Sequence, residues 1–138
     1  MRKIIFAIVT GFIVQMAGLL LIHSVWLKQD YLASAFTWRA QQDQVARGWA
    51  MLLAVLIYVI GAVLIYTLAA KPKPWLAQGI RFGILLALVT VVYGSLSGRV
   101  ILPLSHNLVM KWIIGESALS VVFSLIVAAI CQPRSAAA

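Results

Sequence analysis

The sequence predicts an all-α integral membrane protein, a bundle of four transmembrane helices. Three observations predict it. Of the 138 residues, 64% are hydrophobic and 10% are charged, whereas soluble domains run at roughly 45–50% and about 25%. The apolar residues fall into four blocks, at about 4–27, 49–70, 79–103 and 109–131, each longer than the ~18 residues that separate a crossing helix from a short buried one. Tryptophans and basic residues border the blocks, as suits side chains placed at a headgroup region. A single transmembrane domain over residues 1–138 is the expectation.

The first span, 4–27, follows Arg2 and Lys3 and ends at Trp26 and Leu27. It carries Gln15 near its middle and His23 one turn from its far end. The same region has the parts of a secretory signal, including an Ala33-Ser34-Ala35 triplet. However, its apolar run is about twice the usual h-region, and Lys28, Gln29 and Asp30 intervene before the triplet. An uncleaved first span is therefore expected.

The connection 28–48 is the longest. Arg39, Asp43 and Arg47 are spaced i,i+4, and Leu32 and Phe36 share a helical face, a pattern that suits a short interfacial helix. The second span, 49–70, opens on Trp49. It is followed by Lys71-Pro72-Lys73-Pro74-Trp75, in which two prolines stop the helix and two lysines add unopposed charge.

The third span, 79–103, is bounded by Arg81 and Arg99. They are eighteen residues apart, which is roughly 27 Å of helix against the ~30 Å of a hydrocarbon core. At 100° per residue, Gly79, Gly83, Thr90, Gly94 and Ser97 form one narrow stripe, and Gly79/Gly83 and Gly94/Gly98 are small-xxx-small pairs. The fourth span, 109–131, opens on Lys111 and Trp112. It holds Glu116 one to two turns inside and presents Ser117, Ser120 and Ser124 at three- and four-residue spacing, so helix packing through these serines and the glycine pairs is expected.

Four spans put both termini on one side. Arg2, Lys3, Lys71, Lys73, Arg81 and Arg134 give that side six basic residues and no acid. The other side has Lys28, Arg39, Arg47, Arg99 and Lys111 together with Asp30, Asp43 and Glu116. The positive-inside rule then favours cytoplasmic termini, and a bacterial inner membrane is the expected location. Lys71-Pro72 after the second span and Gln132-Pro133 after the fourth suggest a parallel two-span repeat.

The net charge of +8 is scattered between apolar blocks, which fits topology signals and headgroup contacts and not a nucleic-acid surface. The one cysteine, Cys131, excludes an intrachain disulfide and any CxxC site. It reads as a small apolar residue at a helix end, with lipidation as the alternative. No HExxH, GxSxG, Walker or dinucleotide motif occurs.

The polar set His23, Asp30, Arg99, His106, Lys111 and Glu116, with Gln15 deeper, carries what chemistry there is. A carboxylate inside hydrocarbon costs a few kcal/mol and needs a partner; the hairpin between spans three and four offers Arg99, with Lys111 nearby. The sequence leaves three readings open. The first is an accessory, structural or binding subunit without catalysis, in a homo-oligomer or a larger membrane assembly. The second is a small oligomeric transporter or proton-coupled permease using Glu116 with Arg99, and drawing on Gln15 and Lys111. The third is a haem-binding electron-transfer subunit using His23 and His106. No metal site and no resident cofactor are expected, since no ligand pair occurs at i,i+3 or i,i+4.

Overall fold

The computed structural model describes residues 1–34 and 38–132, the side chain of Gln41 excepted. Four helices are long and apolar enough to cross a membrane: α1 (Arg2–Trp26), α4 (Gly48–Ala69), α5 (Trp75–Ile101) and α6 (His106–Cys131). Two short helices, α2 (Lys28–Ala33) and α3 (Gln41–Ala46), lie in the connection between α1 and α4. That connection was expected to hold a short interfacial helix, and its described residues include these two short helices. Phe36, expected to share a face with Leu32, lies outside the described residues, as do Ala35 of the triplet and Pro133 and Arg134 of the repeat and charge arguments.

Local chemistry sets the helix starts earlier than hydropathy does. Pro74 is the cap residue of α5, and the Gln78 side chain closes the preceding turn. It accepts from the Lys71 N–H at 2.9 Å and donates to the carbonyls of Lys71 and Lys73 at 2.9 and 2.8 Å. Backbone groups that the prolines leave unmatched are thus satisfied, and the helix starts at Trp75 instead of Gly79. Ser105 caps α6 by accepting from the Leu108 N–H at 3.2 Å, so this helix starts at His106, three residues before the apolar block.

Two core clusters order the bundle end to end. Ile4, Ala70, Ile130 and Cys131 pack on the larger cluster, which includes Val59, Val63, Phe123 and Val127. Leu27, Leu104, Leu108 and Val109 form the second, joined by Tyr31, Trp38 and Trp112. We call the second the cap end. Helix α6 is central and packs against α1, α4 and α5; α1 lies between α4 and α6. The outward faces are apolar: Leu52, Leu53, Leu56, Ile57, Leu64, Ile65 and Leu68 of α4 are all exposed, a surface that hydrocarbon accepts and water penalises.

Helices α5 and α6 make the most extensive contact, because Gly79 and Gly83 remove the side chains between them. A Cβ at Gly83 would lie 2.6 Å from Val121 Cα and 3.1 Å from Ser120 O; one at Gly79 would lie 3.1 Å from Leu125 Cα. The second glycine pair behaves differently. A Cβ at Gly94 or Gly98 would meet nothing within 4 Å, and Ser95 is the buried residue of that turn. The reason is a wide, π-type turn at Leu88–Val92. One extra residue in that turn shifts the inward face by about 100°, carrying Gly94 off the stripe and Ser95 onto it. Of the serines on α6, Ser120 and Ser124 are buried and Ser117 is half-buried.

Candidate functional site

Helices α4 and α5 meet edge to face at Tyr66 and Phe82, with ring centroids 5.3 Å apart. Toward the cap end a cleft of about 1170 Å³ lies between the helices. Tyr58 of α4 lines one wall, Thr90 and Val91 of α5 another, and Gln15, His23, Glu116 and Ser120 of α1 and α6 the rest; Tyr31, Trp38 and Trp112 line its cap end. Two wide turns among the described residues border this space. His23 and Ser24 sit in the one at Leu21–Trp26, Thr90 and Val91 in the one at Leu88–Val92. A π-type turn widens the backbone and re-aims the side chains it carries, and such turns recur at functional positions.

Glu116 and His23 face each other in the cleft, Oε1 to Nε2, at 3.2 Å. The other ring nitrogen, Nδ1, is 2.6 Å from the Tyr31 hydroxyl, and that hydroxyl accepts from the Trp112 indole N–H at 2.7 Å. The directions follow from donor count. The Glu116 carboxylate can only accept, so Nε2 carries the proton that faces it, and in that tautomer Nδ1 is left to accept from Tyr31, whose oxygen takes the Trp112 N–H. Trp112, Tyr31, His23 and Glu116 thus form one ordered chain ending on a negative charge. Burial pushes the Tyr31 phenol up to about 12, and the charges of Glu116 and Asp30 push the same way, against the Trp112 hydrogen bond. Tyr31 therefore stays a donor at neutral pH.

The cap is fastened from α6. Lys111 Nζ donates to both carboxylate oxygens of Asp30, at 2.9 and 2.8 Å, and the pair is well shielded, with 31% and 18% of the side chains exposed. Asp30 lies on α2, so the ion pair holds that short helix over the cleft. Ser34 donates to the Asp30 carbonyl at 2.8 Å and accepts from the Trp38 indole at 3.1 Å. Trp38 in turn packs on Tyr31 and Trp112, with centroids 5.3 and 6.0 Å away.

The expected residues are therefore brought together in part. Gln15, His23 and Glu116 share the cleft. The hairpin pairing of Glu116 with Arg99 does not form: Arg99 donates instead to Nδ1 of His106 at 2.9 Å, on an exposed surface. Its position at the end of α5, beside the Pro103 turn, puts it within reach of the loop histidine, whereas Glu116 lies more than two turns into α6 and faces α1. Lys111 serves Asp30 and not Glu116. His23 and His106 have different partners, and only His23 lines the cleft. Sequence reasoning read Trp112 only as the opening of the fourth span and did not single out Tyr31, Trp38 or Tyr58. Tryptophans near span ends read as interfacial anchors, and only the fold shows that Tyr31, Trp38, Trp112 and the mid-span Tyr58 line one space.

Comparison of the chain with protein-family models, with curated proteins and with solved structures finds no match. The cleft has to be read on its own chemistry.

Proposed function

We propose that this protein is a small multi-pass membrane protein that acts as a binding subunit, its cleft taking the cationic head of an amphipathic molecule. The observation that carries the reading is the surroundings of Glu116. One of its oxygens faces His23, while Oε2 makes no ion pair or hydrogen bond among the described residues and is left to the cleft, whose lining includes Tyr31, Trp38 and Trp112 and, at the cap end, Lys28 and Arg39. A carboxylate beside aromatic faces is the chemistry that recognises ammonium groups, through charge and through the ring quadrupoles. Apolar lining from Met16, Leu19, Met51 and Val55 suits the rest of such a ligand. Cytoplasmic termini and a bacterial inner membrane complete the reading; they place the cap and the cleft mouth in the outer half of the bilayer.

The test is binding of octyltrimethylammonium to the protein in lipid nanodiscs, followed by quenching of tryptophan fluorescence. Saturable binding is expected, weakened about tenfold or more in Glu116→Gln, since interactions with charged groups are worth about 1.5–3 kcal/mol. Binding that ignores Glu116→Gln sinks the reading.

One observation favours a second reading, a proton-coupled permease using Glu116. The His23–Glu116 pair can accept a proton without leaving a buried charge unmatched. In that case Glu116→Gln abolishes pH-driven uptake of the same ammonium compound into proteoliposomes; a binding subunit shows no uptake in either form.

A further inference from the structure

We infer that the ligand's head is a zwitterion of fixed order, an ammonium group next to the apolar chain and an anion beyond it, with Glu116 holding the ammonium and Lys28 and Arg39 holding the anion at the mouth of the cleft. This rests on the cleft's taking a cationic amphiphile, and it specifies which kind.

Three charged side chains line the cleft, in two places. Glu116 lies inside, its Oε2 unpaired. Lys28 and Arg39 line the cap end, exposed, and neither is ion-paired with Asp30, Asp43 or Glu116, the three acidic residues of the sequence. Asp30, the acid nearest Lys28 along the chain, is committed to Lys111. Both bases stand on built structure. Lys28 opens α2, which the Asp30–Lys111 pair ties to α6. Arg39 follows Trp38, which packs on Tyr31 and Trp112, and its carbonyl accepts from the Gln44 amide at 2.7 Å.

The order of charges along the bundle decides the order of groups in the ligand. His23, which faces Glu116, is five residues before Lys28, and Lys111, which anchors α2, is five residues before Glu116. Either count puts the bases about 7 Å nearer the cap end than the carboxylate. Farther in, Leu19 and Met16 line the cleft one and two turns from His23 along α1. No residue of α4 before Val55 is buried, so the cleft is open along the flank of that helix, where an alkyl chain passes into hydrocarbon. An amphiphile lying chain-inward meets the carboxylate first and the bases second. An ammonium adjoining the chain sits on Glu116, with Trp112 one turn away on α6, and an anion on a short spacer reaches the flexible arms of Lys28 and Arg39. With the two charges exchanged, as in a phosphocholine, the anion would face Glu116 and the ammonium the two bases, and like charges set against each other reject such a ligand. A plain cation satisfies Glu116 and is repelled by both bases.

Octyltrimethylammonium, octyl sulfobetaine (octyldimethylammonium propanesulfonate) and octylphosphocholine share one chain and differ in the head. Their binding to the full chain in phosphatidylcholine nanodiscs is measured below their micelle concentrations, with partitioning into empty discs subtracted. The sulfobetaine should bind about fivefold more tightly than the phosphocholine, the scale of two exposed ion pairs. Added salt should shrink that preference, because both bases are exposed. The double variant Lys28→Gln/Arg39→Gln should abolish it and at the same time tighten octyltrimethylammonium, whose repulsion at the mouth is relieved; that tightening also shows that the variant is folded. A phosphocholine bound as tightly as the sulfobetaine overturns the charge order, and so does a preference that ignores salt or survives the double substitution. If Glu116→Gln weakens octyltrimethylammonium while the two zwitterions bind alike, this inference fails and the cationic head site stands. Indifference of octyltrimethylammonium to Glu116→Gln overturns the head site, and the charge order with it. Absence of all binding overturns both.

Discussion

Replacing Gly83 with alanine tests whether α5 and α6 are held by close backbone approach. The added Cβ would sit 2.6 Å from Val121 Cα and 3.1 Å from Ser120 O, where ordinary contact begins at 3.4 Å. The obstructing atoms are main chain, so no rotamer change gives relief, and α6 must retreat by about 0.8 Å. A gap of that size forfeits about a quarter to a half of the dispersion attraction of the atoms facing it, and Leu125, Ala128 and Ser124 all line this contact. Overpacking of this kind costs about 1–3 kcal/mol; at 2 kcal/mol the folded-to-unfolded ratio falls roughly 30-fold. Reversible unfolding in mixed micelles of mild detergent and dodecyl sulfate, followed by near-UV circular dichroism, measures it. Gly94→Ala is the control, since nothing lies within 4 Å of its added carbon, and it should stay within about 0.5 kcal/mol of the parent. Equal destabilisation by the two substitutions would refute both the packing argument and the face shift attributed to the wide turn.

Gly18→Ala should fall between these two, because the atoms nearest its added Cβ belong to the branched end of the Leu119 side chain, which can turn aside; the same unfolding assay ranks the three. Asp30→Asn leaves the Lys111 ammonium without its carboxylate. The expected loss is about 1 kcal/mol after allowing for partial exposure of the pair, with faster amide exchange confined to α2, and uniform exchange across the bundle would contradict the clasp. Stability should fall as pH rises from about 10 toward about 12. The raised Tyr31 pKa means that the unfolded chain gives up the phenol proton first, and Tyr31→Phe should lessen that fall. Nitrogen chemical shifts of His23 should report the Nε2–H tautomer in the parent and a mixture in Tyr31→Phe, where Nδ1 loses its 2.6 Å partner.

The four helices were legible because a long apolar run has few alternatives, and Arg81 and Arg99 alone mark out the third span. The glycine stripe was half legible. Gly79 and Gly83 precede the wide turn, where 100° per residue holds; Gly94 and Gly98 follow it, where the count is off by one. Nothing in Leu88-Val89-Thr90-Val91-Val92 announces such a turn, since it depends on which register lets α5 keep packing on α6. Glu116 stood out as a charge within hydrocarbon, but its partner depended on helix order. Arg99 is the nearer cation along the chain, while His23 is nearer in space because α1 rather than α5 faces that side of α6. Gln15 was visible as a polar residue in a span; that it has no partner could be learned only from its neighbours.

The clasp and the hydrogen-bonded chain share one property of sequence distance. Asp30–Lys111 and Tyr31–Trp112 each join residues 81 apart, so the two links that tie α2 to α6 reach from the first span's end to the fourth span. During synthesis α1, α4 and α5 can all be in place while the cleft has no Glu116 wall and α2 has no anchor. Until α6 enters, the His23 ring has no carboxylate, and Tyr31 has no indole to bind. The polar cleft is thus completed only when α6 is in place, and a chain made only as far as α5 presents an open groove where α6 would wall it.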